Sequence, residues 1–323
     1  MRYAPDRRAE LADSDVCDRK SLTMEIENRI LGKKLTINVK GRLVELKVPA
    51  IMGILNVTPD SFYAASRMLD GDVTDKARQL IEEGADIVDV GGYSTRPGAD
   101  DVSAEEELRR VLQGVKAVKE ACKVLESKGF RMPEAGLLIS VDTFRAEVAE
   151  KAVEAGADIV NDISAGLMDR EMIPTVARLK VPYIIMHTRG TPATMAQLTD
   201  YPAGVVAGVA AELQARVNEC RLAGIADLIV DPGFGFAKTV EQNYELMAGL
   251  RDLDYMLGSL PMLVGISRKS MIYKPMGLTP AETLPGTDAL NALAVERGAA
   301  ILRVHDVAAA RQVAEVSLRS CRP

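Results

Sequence analysis

The chain has 323 residues, a net charge of −6 and 47% apolar side chains. This length accommodates one barrel domain of roughly 250 residues with additional segments, and the apolar content is enough for a sizeable core. Lysines and arginines are scattered through an acidic chain, which argues against nucleic acid as the main partner. No run of about 18 apolar residues occurs, so we expect no membrane span and no membrane partner.

Two segments precede the regular part of the chain. Residues 1–23 carry charges of both signs and no apolar run, which is typical of a short disordered tail, and Met24 is an alternative start. We expect one domain over residues 24–323. Its first element is a predicted β-hairpin, in which residues 35–39 and 43–47 flank Lys40-Gly41-Arg42 and cover the bottom of the barrel.

Eight short apolar runs follow, and each is succeeded by a helical stretch. The runs lack polar alternation, as expected for parallel strands that are buried on both faces. Polar residues cluster directly after the runs. This pattern predicts an α/β fold, a single (β/α)8 TIM barrel whose active site lies at the C-terminal ends of the strands. The runs are 51–55, 87–90, 137–141, 158–160, 183–186, 228–230, 262–264 and 301–302.

Apolar residues at helical spacing predict the helices between these strands. Ser103-Ala-Glu-Glu106 matches a capping box at the start of one of them. The others are predicted over 145–155, 202–223, 240–250, 288–298 and 305–318.

The polar clusters at the strand ends carry the functional signal. Taken singly, each has an ordinary explanation, such as a loop-starting Asn, a helix-capping Asp or a surface Arg. All of them together at the ends of buried strands favour one shared site, because a buried polar side chain needs a partner. The residues are Asn56; Thr95 and Arg96; Asp142; Asn161 and Asp162; His187; Asp231; Ser267, Arg268 and Lys269; and Arg303 and His305.

Three of these side chains suit a nitrogen-rich ring. Asp142, Asn161 and Asp231 offer oxygen acceptors, and a carboxylate accepts the two parallel N–H donors that an aminopyrimidine edge presents. Cations follow the seventh and eighth strands, where barrels often hold phosphate, and Arg96 beside Pro97 offers a guanidinium to a diphosphate.

The two histidines differ in their surroundings. His305 is the better functional candidate because it follows Arg303, whereas His187 is equally compatible with a hydrogen-bonded core residue. No metal site made only of protein ligands is indicated. Mg²⁺ commonly binds through substrate phosphates and one or two protein oxygens, and Asn56 is a candidate for one. Four cysteines without a metal-binding pattern suggest free thiols in a reducing cytoplasm.

Seven segments resemble, in chain order, the motifs of the dihydropteroate synthases of folate biosynthesis. They lie between about residue 50 and residue 318 and are GILNVTPDSF, DVGGYSTRPGA, SVDT, NDISAG, DPGFGF, SRKS and RVHDV. The resemblance implies a transferase that joins p-aminobenzoate to 6-hydroxymethyl-7,8-dihydropterin diphosphate and releases pyrophosphate. It further implies a requirement for Mg²⁺, inhibition by sulfonamides, and a homodimer formed through the helix from Asp288 and the terminal helix.

The resemblance also implies roles for individual residues. The pterin would contact Asp142, Asn161, Asp231 and Lys269. The diphosphate would contact Asn56, Arg96, Arg303 and His305, with Asn56 near the metal. The p-aminobenzoate would contact Thr95, Pro97, Phe236, Lys269 and Ser270. Catalysis would depend on Asp142, Arg96, Lys269, Arg303 and His305, through a cation-like displacement without a covalent nucleophile.

Some positions depart from the commonest family pattern. They are residues 63–67, Tyr93 and Ala237, and Arg67 would add a cation to the diphosphate site. One alternative function is a pterin-binding barrel that transfers a methyl group from methyltetrahydrofolate to a corrinoid. Others are a non-catalytic pterin-binding protein and a barrel enzyme for a different phosphorylated molecule. Arg96, Lys269, Arg303 and His305 favour the synthase, because methyl transfer needs no diphosphate site.

Overall fold

The computed structural model describes residues 34–47, 49–57, 70–93, 102–191 and 194–320. The predicted tail (1–23), the segment 63–67 and the candidate residues Thr95, Arg96 and Pro97 therefore lie outside the described residues. Among the described helices, none has the length and the apolar character needed to cross a membrane.

Eight parallel strands form a closed barrel in chain order, and the last strand pairs with the first. The predicted (β/α)8 barrel is thereby confirmed. Several residues that the sequence places after a strand, such as Asn56, Asp142 and Asp231, are in fact the last residues of their strands. The barrel strands are β3 Ala50–Asn56, β4 Ile87–Gly91, β5 Leu138–Asp142, β6 Ile159–Asp162, β7 Tyr183–Met186, β8 Leu228–Asp231, β9 Met262–Val264 and β10 Ala299–Val304.

Helices surround the barrel, and each helix packs one of its faces against the strands. They are α1 Asp70–Glu82, α2 Ala104–Ser127, α3 Ala146–Ala155, α4 Met172–Leu179, α5 Val205–Leu222, α6 Val240–Ala248, α7 Leu250–Met256, α8 Ser270–Met276, α9 Leu284–Glu296 and α10 Val307–Ser320. Short 3-10 turns lie at Met195–Gln197 and Pro280–Glu282.

Two helix predictions need correction. The predicted helix 240–250 ends at Ala248, and a new helix starts at Leu250. Gly249, between the two helices, packs so closely on Val206 that a side chain at position 249 would clash. The predicted helix from Asp288 begins four residues earlier, at Leu284, since Pro285 is accepted in a first helical turn.

The capping box predicted at Ser103 is only half formed. The Ser103 hydroxyl accepts the Glu106 backbone N–H at 3.2 Å. The Glu106 carboxylate pairs instead with Arg109 and Arg110, which lie three and four residues along the same helix face. A complete capping box occurs at Thr239, which starts α6 together with Gln242.

The N-terminal hairpin covers one end of the barrel, as predicted. Strands β1 (Lys34–Val39) and β2 (Arg42–Lys47) are antiparallel and joined by Lys40 and Gly41, whose positive φ angles of 51° and 86° suit a two-residue hairpin turn. Apolar hairpin side chains pack against residues at the N-terminal ends of the strands; those from the hairpin are Leu35, Ile37, Val39, Val44 and Leu46. Ligands must therefore enter from the C-terminal ends of the strands.

We predict that the hairpin contributes stability without contributing to the site. Leu46 is 2% exposed and Leu43, on the same strand, is 73% exposed. Leu46→Ala should lower the free energy of unfolding by about 2–4 kcal/mol, because it removes buried methyl groups and leaves a cavity. Urea unfolding measures this change. Leu43→Ala is the matched control and should be nearly neutral; equal effects of the two substitutions would contradict the prediction.

Candidate active site

Arg303 on β10 lies at the centre of the C-terminal end of the barrel. Its Nε donates to Asp89 Oδ2 at 2.7 Å, and its Nη2 donates to Asp142 Oδ2 at 2.6 Å. Asp89 Oδ2 also accepts a hydrogen bond from Asn161 Nδ2 at 3.1 Å. One guanidinium thus joins the strands β4 and β5, and Asp89 extends the connection to β6.

The charges in this cluster shift one another's pKa values. Burial raises the pKa of Asp142 to about 7; Arg303 opposes this change and the negative charge of Asp89 adds to it. Burial disfavours the charge on Arg303, but the two carboxylates outweigh it and raise the Arg303 pKa above its usual range. Asp89 is fully buried, and its Oδ1 has no hydrogen-bond partner among the described residues. A buried acceptor without a partner is costly, so the carboxylate depends on the bonds that Arg303 and Asn161 donate to its other oxygen.

A second charged pair lies across the barrel. Asp231 ends β8, and its Oδ1 accepts the Gly233 N–H at 2.8 Å. Lys269 precedes α8; its Nζ donates to the Phe234 carbonyl at 2.5 Å and lies 4.9 Å from the centre of the Phe236 ring. Burial raises the pKa of Asp231 against the influence of Lys269. Burial also lowers the pKa of Lys269 to about 8, and Asp231 opposes that change.

An apolar wall adjoins these charges. It consists of Phe144, Ile163 and Met186, with Tyr93, Met168 and Phe236 packed against them. The Tyr93 and Phe144 rings meet edge to face with centroids 5.2 Å apart, and the Arg145 guanidinium lies 4.9 Å from the Phe144 ring. Tyr93, a departure from the commonest family pattern, is therefore part of a packed aromatic contact. Charged acceptors beside apolar side chains suit a flat polar ring.

Asn56 and Asp142 flank a space that a glycine keeps open. A Cβ at Gly91 would lie 3.4 Å from Asn56 Oδ1 and 3.7 Å from the Asp142 Cβ. Any larger residue at position 91 would occupy the gap between these two side chains. The glycine thus leaves room for a ligand atom beside both of them.

His305 is positioned by a neighbouring strand end. Its Nδ1 lies 3.0 Å from the Ser267 hydroxyl, and the same hydroxyl accepts the His305 backbone N–H at 3.3 Å. Arg268 forms an exposed ion pair with Asp306 at 2.7 Å. Ser270 is the first residue of α8, directly after Lys269.

Two residues of the strand-end clusters have other functions. His187 is buried between Glu212 and Lys238, at 3.1 and 2.9 Å from its two ring nitrogens, and so corresponds to the hydrogen-bonded core alternative. The Asp162 carboxylate accepts the Ser164 N–H and hydroxyl, the Gly166 N–H and the Tyr183 hydroxyl, so it shapes the turn after β6.

The structure brings Asp142, Asn161, Asp231, Lys269 and Arg303 together, with Phe236 beside them. Asp89 also belongs to this set, although it lies within an apolar run and not after one. Strand alternation would have identified it, because Val88 and Val90 face the helices and Asp89 between them must face the barrel interior.

A metal ion would have few protein ligands here. Among the described residues, no three His, Cys, Asp or Glu side chains form a group that could hold a metal ion. The Asn56 amide supplies one hard oxygen donor beside the open space at Gly91. This donor set fits Mg²⁺ that binds chiefly through substrate phosphates, and does not fit a metal held by the protein alone.

Comparison with known proteins assigns the chain to a protein family. Residues 52–305 match the family model described as pterin binding enzyme. Since the match covers most of the chain, the protein belongs to the pterin-binding enzymes.

Closer relatives narrow the family to the dihydropteroate synthases, and the chain belongs to them. The dihydropteroate synthase of Haemophilus influenzae is 41% identical over 285 residues, which cover 87% of this chain and 98% of the relative. The folic acid synthesis protein fol1 of Schizosaccharomyces pombe is 42% identical over 260 residues, 79% of this chain but only 34% of that longer protein. The resemblance stated from the sequence motifs is confirmed.

Solved structures agree. The dihydropteroate synthase of Xanthomonas albilineans with 4-aminobenzoic acid has a TM-score of 0.77 at 37% identity, covering 90% of this chain and 100% of that chain. The Yersinia pestis enzyme in complex with a sulfonamide drug has a TM-score of 0.78 at 34% identity, covering 88% and 99%.

We predict that Asp89 controls the protonation of Asp142. In Asp89→Asn, the loss of a nearby negative charge should lower the Asp142 pKa from about 7, because the charged form is then less disfavoured. Carboxyl-carbon NMR titration measures it, with Asp142→Asn assigning the signal. Asp306→Asn, which removes a carboxylate paired with Arg268 outside the cluster, is the control and should leave the titration unchanged. An Asp142 pKa that rises in Asp89→Asn would contradict the prediction.

Proposed function

We propose that this protein makes 7,8-dihydropteroate from 6-hydroxymethyl-7,8-dihydropterin diphosphate and p-aminobenzoate. The observation that carries the proposal is the cluster of Asp89, Asp142, Asn161 and Arg303, with Asp231 and Lys269 opposite, at the open end of the barrel. Membership of the dihydropteroate synthases supplies the reaction. The cluster supplies groups that suit both the pterin and the charge changes of the reaction.

The pterin would be held by the buried acceptors. Its aminopyrimidine edge presents parallel N–H donors, which suit the carboxylate of Asp231 and the free oxygen of Asp142. Asn161 offers both an acceptor and a donor. The apolar wall around Phe144 and Met186 would cover the ring and exclude water.

The chemistry follows from the charges. The bond between the pterin methylene carbon and the diphosphate oxygen breaks, and its electron pair leaves with the diphosphate. The methylene group becomes cation-like, and the carboxylates of Asp142 and Asp89 lower its free energy. The amine nitrogen of p-aminobenzoate then forms the new C–N bond and loses a proton to solvent. Because this amine is neutral and weakly basic, positioning contributes more than base catalysis.

The diphosphate would lie near the ends of β3, β9 and β10. Asn56, Arg303 and His305 are at hand there, and Arg96 is our further candidate for this group. Mg²⁺, when bound with the substrate, would neutralise part of the diphosphate charge. Asn56 would orient the ion through its amide oxygen, and His305, positioned by Ser267, would donate to a phosphate oxygen.

Phe236 and Lys269 would form the p-aminobenzoate side of the site. The Lys269 ammonium is near the Phe236 ring and would attract the benzoate carboxylate, while the ring would pack on the benzene. Ser270, at the start of α8, and Thr95 and Pro97 are our other candidates for this side. A sulfonamide would compete here because its shape resembles p-aminobenzoate.

We also propose a homodimer in the cytoplasm. Exposed apolar side chains lie on α9 and α10, at Leu284, Leu293 and Val316, and support an interface on these two helices. The two cysteines of the described residues, Cys122 and Cys220, are unpaired thiols, which fits a reducing compartment.

A coupling assay tests the proposed function. Purified protein, dihydropterin diphosphate and radiolabelled p-aminobenzoate should yield labelled dihydropteroate when Mg²⁺ is present. Chelation of Mg²⁺ should abolish the product, and a sulfonamide should inhibit competitively with p-aminobenzoate. Absence of product, with pterin binding retained, would favour a non-catalytic pterin-binding protein. Methyl transfer from methyltetrahydrofolate to a corrinoid would favour the methyltransferase.

We predict that Lys269 contributes strongly to turnover. Lys269→Met should lower kcat/KM by about 10²-fold, since it removes a cation that faces Asp231 and the p-aminobenzoate side. Steady-state kinetics measure the change. Lys274→Met, which changes an exposed lysine on the helix α8 that follows Lys269, is the matched control and should retain full activity. Similar kcat/KM values for the two variants would exclude this role of Lys269.

A further inference from the structure

The loop after β8 has an unusual backbone. Gly233, Gly235 and Ala237 have positive φ angles of 70°, 80° and 49°, so every second residue is left-handed. A Cβ at Gly233 would lie 1.9 Å from the His187 carbonyl oxygen, so only glycine fits there. Ala237 carries a Cβ in this strained region and needs compensating contacts.

Those contacts converge on one buried lysine. Lys238 Nζ donates to the Gly233 carbonyl at 2.9 Å and to the Phe236 carbonyl at 3.0 Å, and it lies 2.9 Å from His187 Nδ1. An ammonium group has three N–H donors, and this site provides three acceptors. The loop therefore encloses the Lys238 ammonium much as a carbonyl cage encloses a bound cation.

The cage is anchored to the barrel wall. His187 lies on the far side of Lys238 and contacts Glu212 on α5 through its other ring nitrogen. The Tyr201 hydroxyl donates to the Ala237 carbonyl at 3.1 Å, and the Arg189 guanidinium lies 3.8 Å from the Tyr201 ring. These contacts hold the strained Ala237 and the lysine from the outer side of the loop.

The inner side of the same loop faces the proposed substrate site. The Phe234 carbonyl accepts Lys269 Nζ, and the Phe236 ring lies beside that ammonium. Lys238 thus binds the carbonyls of Gly233 and Phe236, whereas Lys269 meets the Phe234 carbonyl and the Phe236 ring. Loss of the Lys238 contacts would remove the ammonium partner of the Phe236 carbonyl and of His187 Nδ1, while the Gly233 carbonyl would keep only the Phe236 N–H.

We propose that Lys238 is a positioning residue for p-aminobenzoate: its ammonium sets the shape of loop 233–237, and that shape places Phe236 against Lys269. The inference rests on the proposed function. Lys238 forms no hydrogen bond with Asp142, Asn161 or Asp231 and reaches Asp231 only through its charge and through Gly233, whose N–H the Asp231 carboxylate accepts. We therefore expect the larger effect of Lys238 on p-aminobenzoate, whose side of the site includes Phe236. The lysine acts through the loop and takes no part in the bond changes.

The surroundings of Lys238 act on its charge in both directions. Burial lowers the pKa of Lys238 to about 7; Asp231 and Glu212 oppose this change, while Lys269 and Arg189 add to it. Burial lowers the pKa of His187 to about 4, so its ring is neutral near pH 7, with Nδ1 accepting from Lys238 and Nε2 donating to Glu212. Above pH 7 a neutral amine keeps only two N–H donors, so the loop would lose one contact.

Replacement of the ammonium tests the inference. Lys238→Met should raise KM for p-aminobenzoate about tenfold and change KM for dihydropterin diphosphate less than threefold, because charged hydrogen bonds are lost on one side of the site only. Lys238→Ala should behave similarly, and propylammonium chloride should restore its KM for p-aminobenzoate by refilling the cage. Sodium chloride at equal ionic strength is the control for salt, and Lys274→Met is the control for loss of a lysine.

The outcomes separate this inference from the proposed function. Wild-type protein that makes dihydropteroate, together with an unchanged p-aminobenzoate KM in both Lys238 variants, would overturn the positioning role alone. Equal rises in both KM values, or failure of propylammonium to restore Lys238→Ala, would indicate general destabilisation and overturn it too. If Lys238→Met does not fold, the rescue of Lys238→Ala decides. No product from wild-type protein would overturn both proposals.

Discussion

The site depends on the cost of burying charge. Three carboxylates (Asp89, Asp142 and Asp231) and two cations (Arg303 and Lys269) lie at one end of an otherwise apolar barrel. Each is tolerable only where a partner of opposite charge or a hydrogen bond is in place. When all five are ionised, three negative charges against two positive ones leave one negative charge. In the proposed reaction, the two carboxylates beside Arg303, Asp89 and Asp142, would favour a cation-like pterin methylene.

The barrel makes this arrangement possible because it fixes each charged group separately. Asp89, Asp142, Asp231 and Arg303 belong to β4, β5, β8 and β10, and the register of the strands sets their separation. Helices on the outside and the hairpin at the opposite end bury the rest of each strand. The outer helices and the hairpin therefore supply the stability of the barrel. The end that carries the charges is left open for ligands.

Sequence reasoning was sufficient where the signal is local. Apolar runs and helical spacing predicted the barrel, and polar residues at strand ends located Asp142, Asn161, Asp231, Lys269 and Arg303. The sequence did not predict the role of a side chain whose hydrogen-bond partners lie far away along the chain. Asp162 has the same local pattern as Asp142, but the Tyr183 hydroxyl and the turn after β6 satisfy it. Asp89 lay within an apolar run and was overlooked, although its neighbours Val88 and Val90 revealed its direction.

Lys238 shows the limit most clearly, because its partner His187 is 51 residues away in sequence. The loop after β8 lies between the buried Lys238 and the half-buried Lys269. Desolvation lowers the pKa of Lys238 to about 7 and that of Lys269 to about 8. The carbonyls of Gly233 and Phe236 face Lys238, and the carbonyl of Phe234 faces Lys269. Carbonyls of this one short loop therefore bind ammonium groups on both of its sides, so the shape of the loop depends on both lysines. In the proposed site, Lys269 would thus act on p-aminobenzoate directly, whereas Lys238 would act only through the backbone carbonyls that position Phe236.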